Sequence, residues 1–574
     1  MPARLPETNE TQPLTQRLLW MLLLPSGFYL AAFALLTHPA IWRFSTHYFA
    51  DRHDGLLNVW RMWWVREALF RLRESPWYTT YIHHPYGLTL LGDDLAPLHG
   101  VFASLVSPWL TLVEAHNAVV VLAFVTSGLF TFLLCYHFTR AWGPSLWGGY
   151  LFTFSQYHFA HAEGHLSLVS MQWLPLFALT WSAFLRTGRT AAAVGAALSL
   201  SLAVYCNYYY FVYCLFLLAL LTAWHAIRRR EVLFLLRQPF LRPLGVFALT
   251  AAATVGPLAI AFLRANAADP FLGTQDRSQF SLDLLAPLVP GGHWRFAEMT
   301  RAYWSTLPGN IQESSVSLGF AVAVLCVYAW MHRRAFPDPD ARFWFVPLVL
   351  FLVLALGPSL RVWGRPVSLP LPHLWLEVVV PPLRLSSSPV RMIVLCVLSA
   401  SVVVAAALQQ LWRAGVRGRA LAAVLVGIAV FETLPRPLPL TRVDVPAYTR
   451  ALAAAPGPGA VLDTFTLPNL AAYLQTIHRR PLVFGRVSRV PASVARKDAE
   501  LQVLVEQGEY SRLFSEYGVR FVVVAVDQPV PGARLLCLDR AAGAALYDLA
   551  GRRVTAGADQ RGLRKARISS ARRT

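Results

Sequence analysis

The sequence predicts a mostly α protein, a polytopic transmembrane helical bundle followed by a small α/β domain, and three observations carry that expectation. Of 574 residues, 56% are hydrophobic and 14% charged, too apolar a mixture for a soluble globular chain. Apolar runs long enough to cross a bilayer recur from Leu18 to Leu434, joined by short connections rich in Arg. After Leu434 that pattern stops, and short β-type stretches alternate with amphipathic helical ones. The net charge of +20 would suggest nucleic acid in a soluble chain. Here the basic residues sit mostly in the short connections, and no basic stripe with interleaved aromatics occurs, which argues against a nucleic-acid partner. Cys135, Cys206, Cys214, Cys326 and Cys396 lie inside apolar runs and Cys537 stands alone, so neither a disulfide framework nor a thiolate metal site is expected.

The first apolar run, Leu18 to Leu36, is long for a signal peptide and lacks a small-residue cleavage site, so it reads as a retained anchor. A loop from 37 to 97 follows, with Asp51, Asp54, Asp93 and Asp94 among His53, His83, His84, Trp60, Trp63 and Trp64. Acids this close to a bilayer are costly, which points to a polar site at the membrane surface; the competing reading is a solvated loop beside an interfacial aromatic belt. The next stretch, 95–113, contains Pro97, Gly100 and Pro108 and either spans or lies in the interface. Charge placement favours the interface. Further spans then fall near 117–138, 142–159, 166–185, 190–206, 209–227, 243–264, 315–331, 343–360, 391–412 and 420–434, about eleven in all. Under this assignment every inner connection is basic, among them Arg186 with Arg189, Arg228 to Arg230, and Arg413 with Arg417. The outer side collects Asp51, Asp54, Asp93, Asp94, His158, His161, Glu163, His165, Asn207, a second long loop at 265–313 with His293 and Glu313, and Arg384 and Arg391.

Residues 435–445 read as a Pro-rich linker and 446–551 as a soluble α/β domain. Its first helix, Pro446 to Ala455, is closed by Pro456-Gly457-Pro458-Gly459. Strands are expected at 460–463, 519–524 and 545–547, with helices over 467–477 and 499–516. With a cytoplasmic N-terminus and eleven spans this domain is extracytoplasmic. The tail 552–574 is Arg-rich, poor in apolar residues and expected to be disordered.

The order of these features resembles the GT-C class of membrane glycosyltransferases, and especially its YfhO-like branch. The local matches are Asp54-Gly55-Leu56-Leu57-Asn58-Val59-Trp60, His84-Pro85-Tyr86-Gly87, Gly164-His165-Leu166-Ser167-Leu168, Leu383-Arg384 with Ser388-Pro389-Val390-Arg391, and Phe484-Gly485-Arg486. The branch usually shows Tyr-Leu-Gly after the Glu of the second long loop, whereas this chain has Glu313-Ser314-Ser315-Val316. The resemblance implies an integral inner-membrane enzyme that moves a sugar from a polyprenyl-phosphate carrier to a glycan, lipid or protein acceptor on the outer face.

Such a reaction needs a base for the acceptor proton and positive charge for the departing phosphate. Asp54 matches the family's first-loop acid and is the candidate base or, failing that, a metal ligand. Asp51 is a second carboxylate three residues away that would either bind a divalent cation with it or stand as a solvated loop acid. Asp93 and Asp94, His161 and His165, and Arg384 and Arg391 are candidate substrate-binding groups. The arginines suit phosphate but could equally be snorkelling side chains. His158, His161 and His165 have helix-face spacing, compatible with a metal or with satisfied interfacial polar groups. Walker, GxSxG and HExxH motifs are absent. The alternative is a non-catalytic flippase or envelope-polymer assembly protein on the same scaffold, disfavoured because transporters place ionisable groups near the midplane.

Overall fold

A computed structural model describes residues 14–273, 278–380 and 388–551. The chain divides into two units whose segments alternate along the sequence. The first comprises Met1–Thr79, Leu88–Val443 and Arg486–Ser493, the second Thr80–Gly87, Asp444–Gly485 and Val494–Thr574.

The first unit is helical. Among the described residues, six helices are long and apolar enough to cross a membrane: Thr15–Leu36, Leu112–Thr139, Leu166–Thr187, Tyr208–Arg229, Leu241–Ala268 and Pro389–Arg413. Shorter apolar helices run over Pro97–Val106, Thr190–Cys206 and Phe320–Met331. Pro97–Val106 rises only about 15 Å, half of what a span needs. The helix Ile393–Arg413 is apolar around its circumference and almost wholly buried, which makes it the hub. It packs against Leu112–Thr139, Trp142–Thr153, Phe320–Met331, Phe345–Ala355 and Gly415–Thr433. Small residues bring the axes close: a Cβ on Gly148 would lie 2.6 Å from the Cys135 sulfur and 2.9 Å from the Ser401 carbonyl oxygen.

The helix Asp54–Arg66 buries nearly every residue after Asp54 and packs on Pro97–Val106. Gly100 permits the approach, since a Cβ there would sit 2.4 Å from Val65 Cβ. Trp60, Trp63 and Trp64 are therefore core residues and not an interfacial belt; Trp60 and Trp64 stack with centroids 6.3 Å apart.

The second unit carries a four-stranded sheet in the order Ala460–Asp463, Val519–Ala525, Ala544–Asp548, Arg534–Asp539, the first pair parallel and the others antiparallel. Leu462, Val483, Leu501, Leu513, Val522 and Ala545 form its core. The strand Arg534–Asp539 escapes the sequence pattern because it is an edge strand without apolar alternation.

Two expected boundaries are corrected. Residues 435–443 are not a free linker: Tyr48 bridges Thr441, Trp294 bridges Pro435, and Arg436 N–H donates to the His293 carbonyl at 2.9 Å. Within 446–551, Arg486–Ser493 belongs to the first unit, because Arg489–Pro491 pairs antiparallel with Phe271–Gly273. The tail 552–574 and Arg384 lie outside the described residues.

Candidate functional site

Two loops of the first unit meet at the start of the helix Asp54–Arg66. Asp51 ties them: its Oδ1 accepts from the backbone N–H of His53 (2.9 Å) and Gly55 (2.8 Å), and its own N–H donates to the Glu163 carbonyl at 2.7 Å. Glycines make the contact possible, since a Cβ on Gly55 would lie 2.6 Å from Ala50 Cβ and one on Gly164 3.0 Å from Asp51 Oδ2. Asn58 adds a second tie, donating to the carbonyls of Asp54 (3.0 Å) and Gly164 (2.7 Å). Burial pushes the Asp51 carboxyl up against the pull of its backbone hydrogen bonds, and Asp54 adds to the rise. Asp51 is thus a helix-capping group whose acceptor is already engaged.

Asp54 is placed differently. Its carboxylate is 36% exposed and lies 3.7 Å from His165 Nε2 and 3.7 Å from Arg486 Nη2, a side chain itself 57% exposed. Behind it runs a buried polar chain. His165 Nδ1 faces His161 Nδ1 at 3.1 Å, and His161 Nε2 faces Glu313 Oε2 at 3.9 Å. Glu313 Oε1 accepts from Arg391 Nε at 2.9 Å and also from Nη2. The Arg391 guanidinium lies 4.9 Å over the Tyr209 ring. Burial and then Arg391 push the His165 imidazole below the usual histidine range, with Glu313 and Asp54 pulling the other way.

His161 Nε2 and Glu313 Oε2 are buried and have no hydrogen-bond partner among the described residues. His161, His165 and Glu313 each bring one donor atom within 4.8 Å of the others. Two imidazole nitrogens and a carboxylate oxygen fit a divalent cation. Among the described residues this is the group of three or more such side chains that meets that spacing, and neither Asp51 nor Asp54 is a member of it. His158 does not join it: its ring nitrogens sit 2.7 Å from the Thr153 carbonyl and 2.8 Å from that of Val169, and the ring stacks on Phe124.

The other sequence candidates form an ion-pair layer beside this chain. Asp93 is buried, held by Arg61 through two bonds of 2.7 and 2.6 Å, and accepts from Ser488 N–H at 2.7 Å. Asp94 accepts from the Ser488 hydroxyl at 3.0 Å. Burial raises the Asp94 carboxyl, but Arg61, Arg489 and Arg391 outweigh it and hold it below the usual carboxylate range. Arg391 is buried and charge-balanced by Glu313, so it braces the site and does not present a free guanidinium. Glu163 accepts from Arg436 at 2.9 and 2.6 Å, and His293 Nε2 lies 3.0 Å from its Oε2.

Sequence reading missed Arg61, Arg436 and Arg489. Arg61 follows Asp54 by two helical turns, a spacing that was available; Arg436 and Arg489 were hidden inside supposed linker and soluble-domain sequence.

The model of a family described as a domain of unknown function, DUF6311, matches residues 27–433. No curated protein matches the sequence. Among solved structures, the chain is similar to the arabinofuranosyltransferase AftD from Mycobacteria, with a TM-score of 0.59 and 15% identity over 94% of this chain and 40% of that one. This chain thus spans well under half of that enzyme's length. The oligosaccharyltransferase AglB from Archaeoglobus fulgidus, in complex with an inhibitory peptide and a dolichol-phosphate, gives a TM-score of 0.45 at 12% identity over 88% of this chain and 69% of that one. ArnT from Cupriavidus metallidurans, bound to undecaprenyl phosphate, gives 0.42 at 12% identity over 93% and 99%. At 15% identity the likeness to AftD is one of fold, the GT-C fold.

Proposed function

Since the chain belongs to the DUF6311 family and has the GT-C fold, we propose that it is a membrane glycosyltransferase that moves a sugar from a polyprenyl-phosphate carrier to an acceptor on the extracytoplasmic face. The observation that carries the reading is the half-exposed Asp54 carboxylate, set 3.7 Å from both His165 and the exposed Arg486. The acceptor hydroxyl gives its proton to Asp54 as its oxygen bonds to the anomeric carbon of the donor. The bond from that carbon to the phosphate oxygen breaks, and the carrier phosphate leaves with the electron pair. Arg486, whose side chain is 57% exposed, meets the charge that develops on it.

His165 and His161 transmit the rigidity of the Glu313–Arg391 pair to the Asp54 end of the site. A divalent cation held by His161, His165 and Glu313 would add positive charge near the donor phosphate. The motifs quoted above support the YfhO-like branch, and the basic connections support about eleven spans, an inner-membrane location and an extracytoplasmic C-terminal region.

The test is consumption of lipid-linked sugar by purified protein. Asp54→Asn keeps shape and hydrogen bonding but removes the proton acceptor, so transfer should fall roughly a hundredfold to ten-thousandfold with unchanged expression and melting. Undiminished transfer in that variant would leave the non-catalytic scaffold as the better account.

A further inference from the structure

The second unit contains a cleft of about 900 Å³ that the transferase chemistry does not use, lined among others by Pro458, Gly459, Arg479, Arg480, Phe514 and Arg520. One wall is the turn at Pro456–Gly459. Its glycines let it lie against Arg520: a Cβ on Gly457 would meet Arg520 Nη1 at 2.5 Å and one on Gly459 would meet Arg520 Cβ at 2.4 Å, and both glycines have positive φ (79° and 149°). Arg480 anchors the same turn, donating to the carbonyls of Leu452 (2.9 Å), Gly457 (2.7 Å) and Ala455.

The charges of this cleft do not cancel. The guanidinium groups of Arg480 and Arg520 both lie over the Phe521 ring, at 4.5 and 4.9 Å. Arg520 is paired with Asp548 at 3.0 and 3.1 Å. Among the described residues the hydrogen bonds of the Arg480 guanidinium all go to neutral carbonyls, and Arg479 is exposed in a left-handed conformation at the end of the helix Pro468–His478. Among the described residues no carboxylate lies within ion-pair distance of either. Burial first, and then the neighbouring Arg520, depress the Arg480 guanidinium against the opposing pull of Asp548. Phe514 is 39% exposed at the rim and offers a flat apolar face.

We propose that this cleft binds an anionic saccharide, its carboxylate or phosphate on Arg479 and Arg480 and one sugar ring on Phe514. The volume admits several sugar rings. The anion preference stands on the charges alone; the choice of a saccharide rests also on the glycosyltransferase reading.

The experiment measures binding of tetragalacturonate, its fully methyl-esterified neutral analogue, inorganic phosphate and undecaprenyl phosphate to full-length protein in a zwitterionic detergent. Tetragalacturonate should bind saturably and at least tenfold more tightly than the ester. Arg479→Glu and Phe514→Ala should each weaken it about tenfold or more, while Arg540→Glu, an equal charge change at an exposed turn outside the cleft, should not. Equal loss with Arg540→Glu would reduce the effect to the net charge of the chain and overturn the proposal, as would binding insensitive to Arg479→Glu. Tetragalacturonate binding no tighter than phosphate, or no loss with Phe514→Ala, would overturn the saccharide. Cleft-dependent binding of undecaprenyl phosphate alone would assign the cleft to the carrier headgroup instead. Asp54→Asn should leave tetragalacturonate binding intact, so the cleft and the transferase assignment fail separately.

Discussion

Glu163 and Asp54 show how two carboxylates on one pair of touching loops can have opposite duties. Asp54 is 36% exposed with His165 and Arg486 each 3.7 Å away, whereas Glu163 is buried and held by Arg436 and His293. Burial alone would raise the Glu163 carboxyl; the His293 hydrogen bond and the Arg436 charge outweigh it and hold it below the usual carboxylate range. A depressed folded value means that Glu163 contributes stability in full above its unfolded pKa of roughly 4.3, and that this contribution is lost as pH falls through the lower folded value. Thermal melts in detergent between pH 7 and pH 3 should therefore show Glu163→Gln well below wild type at neutral pH, with the gap closing on acidification. A gap that stays constant across that range would mean that packing and not charge holds the loop. None of this partnering was legible in the sequence: Glu163, His293 and Arg436 are spread over 273 residues, and Arg436 sits in a stretch that reads as a Pro-rich linker.

At the scale of elements, the start of the helix Asp54–Arg66 is fixed by the turn that carries Glu163 and Gly164. The sequence made this helix readable in part. The cluster of acids and the motif at Asp54–Trp60 marked the stretch, but a tryptophan-rich segment beside a membrane looks the same whether it faces headgroups or a protein core. What decides is Gly100 on the partner helix, whose missing Cβ lets Val65 approach and closes the groove. Gly164 has the equivalent role at the helix N-terminus. A Cβ there would stand 3.0 Å from Asp51 Oδ2 and 3.4 Å from Asp54 Cβ, so Gly164→Ala must displace one of the two loops by several tenths of an ångström. We expect transfer to drop about tenfold to a hundredfold with little change in melting temperature. Asp51→Asn, which keeps the acceptor for His53 and Gly55, should lose less than tenfold. If Asp51→Asn matched Asp54→Asn in severity, Asp51 would be a reacting group and not a cap.

For the whole molecule, the helical membrane character was legible because it is written in composition and run length, which need no tertiary information. The division into units was not, because strand pairing between distant segments overrides any boundary drawn from local composition: Arg489–Pro491 pairs with a strand more than two hundred residues earlier. The proposed orientation predicts that Arg52→Cys and Thr464→Cys react with an impermeant maleimide in intact cells and that Arg230→Cys does not; labelling of only one of the first two would break the eleven-span scheme. The second unit makes a sharper demand. It is completed by Thr80–Gly87: Leu482 N–H donates to the Tyr81 carbonyl at 2.8 Å, His84 N–H donates to the Leu482 carbonyl at 3.0 Å, and Tyr86 packs on the core around Leu462 and Val522. A fragment of residues 444–551 lacks these partners, leaving a strand edge unpaired and apolar surface uncovered. It should melt without cooperativity or aggregate in detergent-free buffer. Fusing residues 80–87 to its N-terminus through a flexible linker should restore a single sharp transition, whereas a fragment that melts cooperatively without them would show that the unit folds on its C-terminal sequence alone.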